Sequence, residues 1–145
     1  MPSSKPEQVL EAIKALLITV PGAKIERNTA VSEKTPPGGL IVLRDGDPGE
    51  PETALGGFGS VYYSHNIEIE LYIEEGNATV RDAAFDILVQ SIGTILENDP
   101  TLGGLVFGMT YGRPEINTEA VAGAPAIKTG VMTVTVEYET TSLLG

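Results

Sequence analysis

Apolar and polar side chains alternate along residues 60–74, near the middle of the chain. The odd positions are mostly apolar and the even ones polar or acidic: Val61, Tyr63, Ile67, Ile69, Leu71 and Ile73 against Ser64, Asn66, Glu68, Glu70 and Glu74. Successive side chains of a strand point to opposite faces of a sheet. The pattern therefore predicts a long strand with one apolar and one acidic face.

The same alternation returns near the end of the chain, within a strand predicted over about residues 127–141. Met132, Val134, Val136 and Tyr138 fall on one side, and Thr133, Thr135, Glu137 and Glu139 on the other. Two such strands predict a sheet whose outer surface carries carboxylates.

Two helices are predicted from apolar residues at helical spacing. The first spans about residues 5–20, with Ser4 as its N-cap and Pro21-Gly22 after its end. The second is expected to be capped at Thr79 and to end near Asn98.

Shorter strands complete the predicted fold. One is expected over about 23–28, a second at the uninterrupted apolar run 40–43, and another over 105–111, where Leu105, Phe107, Met109 and Tyr111 alternate. The order α-β-β-β-α-β-β predicts a single α+β domain over 1–145, with two helices packed on one face of a mainly antiparallel or mixed sheet.

Composition narrows the function classes. Nine basic residues against twenty acidic ones give a net charge of −11, which disfavours tight binding to phosphate backbones but lets nucleic acid pass without adhering. The plainer interpretation of this charge is that it keeps the protein soluble.

The chain has no cysteine, and hence no disulfide or thiolate metal site. Neither a signal sequence nor a membrane-spanning run is found, so residence in the cytosol is expected.

Two loop segments resemble ligand-binding loops but lack the residues that such loops need. The acidic segment Asp45–Glu50 contains Pro48 and lacks the alternating oxygen ligands of a calcium loop. The glycines before Ser60 lack the lysine of a phosphate-binding loop and precede a strand, not a helix. The stretch 45–59 is predicted to be a long loop, which within a compact domain is usually functional or mobile.

Candidate catalytic residues are few. His65 is the only histidine, and its odd position in the long strand places it on the covered side of the sheet. Glu68, Glu70, Glu137 and Glu139 could supply a carboxylate pair for glycoside hydrolysis. Ordinary exposure on an outer sheet face explains them as well, and we favour an electronegative surface over a catalytic pair.

The chain as a whole resembles the tail terminator (tail completion) proteins of long-tailed bacteriophages and gene transfer agents. The resemblance covers most of the chain and is carried by its size, its order of elements and four stretches: VPGAKIERN at 20–28, GLIVLRDGDPGEP at 39–51, RDAAFD at 81–86 and TLGGL at 101–105. These stretches are typical of the family but have no chemical mechanism of their own.

The resemblance implies a structural virion protein without catalysis or cofactor, assembled in the host cytoplasm and located in the tail. Such proteins form a hexameric ring that caps the tail tube, ends its polymerisation and joins it to the head connector. The implied partners are further copies of the chain, the major tail tube protein and the connector or stopper protein, with DNA passing through unbound and no membrane involved.

Two sets of candidate residues follow from this resemblance. The candidates for contacts between subunits are Asp45, Asp47, Glu50, Glu52, Phe58, Leu143 and Leu144. The candidates for lining the channel are Glu68, Glu70, Glu137 and Glu139. Two alternatives stay open: another tail or neck component, such as a tube or head-tail joining protein, and a small acyl-group enzyme, for which the sequence supplies no nucleophile in a recognisable motif.

Overall fold

The computed structural model describes residues 2–30, 35–53, 59–120 and 123–145, and within them it is an α+β fold of two helices and seven strands. The elements follow in the order α1 (Lys5–Leu17), β1 (Lys24–Arg27), β2 (Leu40–Asp47), β3 (Glu52–Thr53), β4 (Val61–Glu74), α2 (Ala78–Glu97), a 3-10 turn (Leu102–Gly104), β5 (Gly108–Tyr111), β6 (Glu115–Glu119) and β7 (Ile127–Thr140). Neither α1 nor α2 is long and apolar enough to cross a membrane. The predicted fold class is confirmed.

A single mixed sheet organises the chain. Its strand order is β1-β2-β4-β7-β5, with β3 added to β4 and β6 added to β7. Only β1 and β2 run parallel among the described pairs. The two alternating strands predicted from sequence, β4 and β7, pair along their whole length, from Val61 opposite Thr140 to Glu74 opposite Ile127.

The core lies between one face of this sheet and the two helices. It takes the odd-numbered residues of β4 and the even-numbered residues of β7, as the alternation predicts. The helices contribute Val9, Leu10, Ile13, Leu17, Phe85, Leu88, Ile92 and Leu96. All four residues of the apolar run 40–43 are buried, so this part of β2 is covered on both faces.

Several boundaries differ from the predictions for local reasons. Helix α1 ends at Leu17, three residues early, although Val20 is still buried. Helix α2 is capped by Asn77, whose side chain accepts a hydrogen bond from the amide of Val80 at 3.0 Å, and not by Thr79. Strand β6 was not predicted; its five residues are all exposed, so hydrogen bonds to β7 define it without any apolar alternation.

Strand β2 also continues into the predicted loop 45–59. It runs to Asp47, with a shift of register against β4 between Arg44 and Asp47. Gly46 allows this bulge: its φ is +67°, and a Cβ atom there would lie 1.9 Å from the carbonyl oxygen of Asn66. The segment that was predicted to be one long loop therefore contains the end of β2 and the short strand β3.

Candidate functional site

The outer face of the sheet, opposite the helices, carries most of the candidate residues. It consists of the even-numbered residues of β4 and the odd-numbered residues of β7, and Glu68, Glu137 and Glu139 are exposed on it. Ser64 lies opposite Glu137 and Tyr62 opposite Glu139. Both ends of this face contain carboxylates, but their surroundings differ.

At one end, Glu70 accepts hydrogen bonds from Arg44 and Tyr72, and we call these three residues the Arg44 cluster. The Arg44 guanidinium donates two hydrogen bonds to the two carboxylate oxygens of Glu70, each at 3.1 Å, and the Tyr72 hydroxyl donates a third at 2.8 Å. Burial acts to raise the pKa of Glu70, but the hydrogen bonds from Arg44 and Tyr72 outweigh it and leave that pKa below its usual value. Burial and the hydrogen bond to Glu70 raise the pKa of Tyr72 to about 12.

At the other end lies a group of exposed aromatic and acidic side chains, which we call the Tyr62 patch (Tyr62, Phe107, Glu50, Glu52 and Glu137). The rings of Tyr62 and Phe107 lie 6.0 Å apart between centroids, and Phe107 is 59% exposed. Glu50, Glu52, Tyr62 and Glu137 border a surface cavity of about 420 Å³. None of the ion pairs between described residues includes a glutamate of this patch.

Both candidate aspartates are hydrogen-bonded within the chain. The carboxylate of Asp45 accepts hydrogen bonds from the Arg27 guanidinium at 2.9 Å and from the Asn28 amide at 2.8 Å. The bond from Arg27 lowers the pKa of Asp45. Arg27 also binds Glu7 of α1, at 2.6 and 2.8 Å, and thereby joins that helix to the sheet. Asp47 accepts a hydrogen bond from the amide of Gly49 within its own turn.

His65 lies beneath the Tyr62 patch, on the helix side of the sheet, and is 1% exposed. Its Nδ1 lies 3.0 Å from the hydroxyl of Tyr138, and its Nε2 contacts the carbonyl oxygen of Asp45. A carbonyl only accepts, so Nε2 carries the hydrogen and Nδ1 accepts from Tyr138. Burial lowers the pKa of His65 and raises that of Tyr138 to about 12. Both ring nitrogens are therefore occupied, and the predicted placement on the covered side is confirmed.

The C-terminal candidates are exposed, Leu143 by 61% and Leu144 by 95%. The Tyr63 hydroxyl donates to the carbonyl oxygen of Leu143 at 2.7 Å, which holds the tail beside a largely apolar cleft. Phe58, the remaining interface candidate, lies outside the described residues.

Sequence reasoning missed Phe107 as a surface residue. It was predicted to lie in a strand with Leu105 and Met109, but β5 begins only at Gly108, and Phe107 is turned outward at the strand entrance. Its amide donates to the carbonyl oxygen of Glu137 at 2.7 Å, so its position is fixed by β7. The glycine at 108, a residue that weakens strands, is the one signal in the sequence for this boundary.

The arrangement offers surfaces for contact more clearly than a reaction centre. In the described ranges no three His, Asp or Glu side chains come together in a group that could hold a metal ion. Glu68 and Glu137, the exposed carboxylates nearest the middle of the outer face, are separated across the sheet by the Asn66–Thr135 hydrogen bond at 2.7 Å.

Comparison with known proteins gives little further information. No family model matches the chain, and no curated protein is significantly similar to it. Among solved structures, the chain is similar to one from a structure described as the virion of a native gene transfer agent particle, with 14% identity over 91% of each chain and a TM-score of 0.36. At this identity and TM-score the likeness shows neither a common fold nor a common function.

Proposed function

We propose that this protein is a structural component of a bacteriophage or gene transfer agent particle, and specifically a tail terminator. The ring that it forms caps the tail tube, stops tube polymerisation and presents a surface to the head connector. The four stretches of family-like sequence support this proposal, and so does one structural observation: an acidic sheet face that extends along two paired strands of fourteen residues each.

The outer face suits the wall of a channel for DNA. A strand of fourteen residues is about 46 Å long at about 3.3 Å per residue, so the β4–β7 pair can extend through the thickness of a ring. Exposed carboxylates such as Glu68 repel phosphates, while Thr133 and Thr135 offer no cation to hold them. DNA would therefore move past this face without binding to it.

A closed ring needs two different complementary surfaces on every subunit. The exposed C-terminal Leu143 and Leu144, and the free edge of β6 with its 56% exposed Ile116, are two such surfaces on the described chain. We propose that the contact between neighbouring copies uses them, which leaves the outer face open to the channel.

Electron microscopy of particles that lack the protein tests this proposal. Tails that are overlong and unattached to heads are the expected result. Absent tubes would indicate a tube protein instead, and tails of normal length without heads would indicate a joining protein. Attached tails of normal length would refute a role in tail assembly.

The channel role is tested separately by charge reversal. In Glu68→Lys combined with Thr133→Lys, two exposed cations are placed on the outer face, and we expect tails of normal length with impaired DNA delivery. The matched control, Thr94→Lys combined with Glu97→Lys, makes the same two kinds of change at exposed positions of α2, away from the outer face and from the proposed contact between copies. Equal delivery by the two variants would contradict a channel wall at the outer face.

A further inference from the structure

The Tyr62 patch combines exposed aromatic rings with carboxylates that have no partner among the described side chains. Tyr62 and Phe107 are 36% and 59% exposed, and their rings are tilted by 33° at a centroid distance of 6.0 Å. The two neighbouring rings expose apolar area that a protein partner can cover.

The backbone beneath the two rings of the patch is held by the sheet. Tyr62 lies in the middle of three strands, between Glu52 of β3 and Glu139 of β7. Phe107 is fixed by the hydrogen bond from its amide to the Glu137 carbonyl at 2.7 Å. A surface that needs no ordering before it binds loses little entropy on association.

The charge of the patch selects the chemistry of its partner. Glu50, Glu52 and Glu137 surround Tyr62 at the cavity of about 420 Å³, and Glu139 lies directly opposite Tyr62. These carboxylates repel the negative phosphates of nucleic acid. They attract a positively charged segment of a protein.

A second copy of the chain is a poor source of that cation. The chain has nine basic residues against twenty acidic ones, and four of the basic residues, Lys24, Arg27, Arg44 and Lys128, already form ion pairs. Of the four arginines, Arg27 and Arg44 form ion pairs and Arg81 donates to the carbonyl oxygen of Glu75, which leaves Arg113 as the exposed one. A second copy thus offers the patch a single exposed guanidinium, and we assign the patch to a different protein.

Arginine fits the patch better than lysine. A guanidinium stacks on aromatic faces and can bind a carboxylate through two parallel hydrogen bonds, whereas an ammonium is a compact and strongly hydrated charge. Tyr62 borders the same cavity as the three carboxylates, and Phe107 lies beside Tyr62.

We propose that the Tyr62 patch is a docking surface for an arginine-bearing segment of a different protein, with the guanidinium placed against Tyr62 and Phe107 and paired with Glu52 and Glu137. The proposal rests on the proposed function only for the location of this contact in the particle, which is the rim of a ring that stacks on another tail or neck protein. Its chemistry is independent of that role.

Titration of the isotope-labelled protein with short capped peptides tests the docking by nuclear magnetic resonance. The probes are a glycine peptide with two arginines, the same peptide with two lysines, and one with two citrullines, which keep the shape of arginine without its charge. We expect saturable shifts at the amides of 62–64, 107–108 and 137, several-fold tighter binding of the arginine peptide than of the lysine peptide, and no binding of the citrulline peptide.

Variants locate the site. Phe107→Ala, and separately Glu52→Gln combined with Glu137→Gln, should each weaken binding of the arginine peptide at least about fivefold, as expected when a partner of a charge-assisted or cation–π contact is lost. The matched control Glu115→Gln combined with Glu119→Gln removes the same charge from β6 and should leave binding within about twofold, the size of a screened long-range effect. All changed side chains are exposed, so we expect the fold to be retained.

Three outcomes would overturn the docking: no saturable shift at millimolar peptide, equal binding of arginine and lysine peptides, or equal weakening by the patch and control variants. None of these would affect the tail-length test of the proposed function. Conversely, binding at the patch in a protein whose absence leaves tails normal would refute the terminator role and keep the docking surface.

Discussion

The two ends of the outer face have the same alternating sequence pattern but different electrostatics. In the Arg44 cluster the guanidinium and the Tyr72 hydroxyl satisfy Glu70, whose side chain is only 18% exposed. In the Tyr62 patch, Glu52 and Glu137 are exposed, and no described ion pair includes them. A carboxylate at one end therefore contributes to folding, whereas those at the other end are free to contact a partner.

The support beneath the two ends differs as well. The Arg44 cluster is held at the surface by its own ion pair. The patch lies over His65, which connects the β2 bulge at Asp45 to Tyr138 of β7 by one buried and one partly buried hydrogen bond. The substitution His65→Leu removes this support.

The largest expected effect is that of His65→Leu. It leaves the Asp45 carbonyl and the Tyr138 hydroxyl without a partner, and we expect a loss of about 2–4 kcal/mol in the free energy of unfolding. Urea unfolding near neutral pH measures it. Tyr138→Phe is the matched variant, because it removes only one of the two bonds and should cost less. A loss below about 1 kcal/mol for His65→Leu would show that these bonds do not hold the bulge.

The same histidine predicts a dependence of stability on pH. Burial lowers its pKa in the folded state from the ordinary value of 6.5, so the unfolded chain binds the proton more readily. Stability is therefore complete above about pH 6.5 and decreases as the pH falls toward the lowered folded pKa, by up to about 1.4 kcal/mol per pH unit.

Unfolding free energies of the wild type and His65→Leu, measured across about pH 7.5 to 5.5, check this contribution. The wild type should lose stability on acidification while the variant changes little over the same range. Parallel curves for the two proteins would assign the dependence to other groups.

The Arg44 cluster should show the next largest effect. Arg44→Met leaves Glu70 without its ion partner, and we expect a loss of about 1–2 kcal/mol, reduced from that of a fully buried pair because both side chains are partly exposed. Chemical unfolding of Arg44→Met, Glu70→Gln and the double variant forms a double-mutant cycle. A coupling energy near zero would mean that the pair contributes nothing to the fold.

The sequence predicts the outer face well but not the difference between its ends. Strict alternation in β4 and β7 is a local property, and it correctly placed Glu68, Glu137 and Glu139 on one exposed surface. The pairing of Arg44 with Glu70 depends on the register of β2 against β4, across twenty-six positions of sequence, which no local pattern encodes.

The aromatic part of the patch was missed for a related reason. Tyr62 and Phe107 meet only because β4 and β5 lie on either side of β7. The alternation placed Phe107 on the apolar side of a predicted strand, but β5 begins at Gly108, one residue after Phe107. Tertiary placement, and not residue type, decides whether such a ring is in the core or on the surface.

The smallest expected effect is also the sharpest contrast with the Arg44 cluster. Glu137→Gln removes an exposed carboxylate that lies near Glu50 and Glu52, so like-charge repulsion decreases. We expect the free energy of unfolding to stay the same or rise by a few tenths of a kcal/mol, where Glu70→Gln lowers it by about 1 kcal/mol.

Added salt should change the electrostatic contribution to stability in opposite directions at the two ends of the outer face. Screening weakens the attraction between Arg44 and Glu70, and it also relieves the repulsion that Glu137→Gln has already reduced. The difference in stability between the wild type and Glu137→Gln should therefore shrink as salt is added to unfolding experiments. A loss of stability in Glu137→Gln comparable to that in Glu70→Gln would mean that Glu137 has a partner within the fold, and the patch would then not be free to bind another protein.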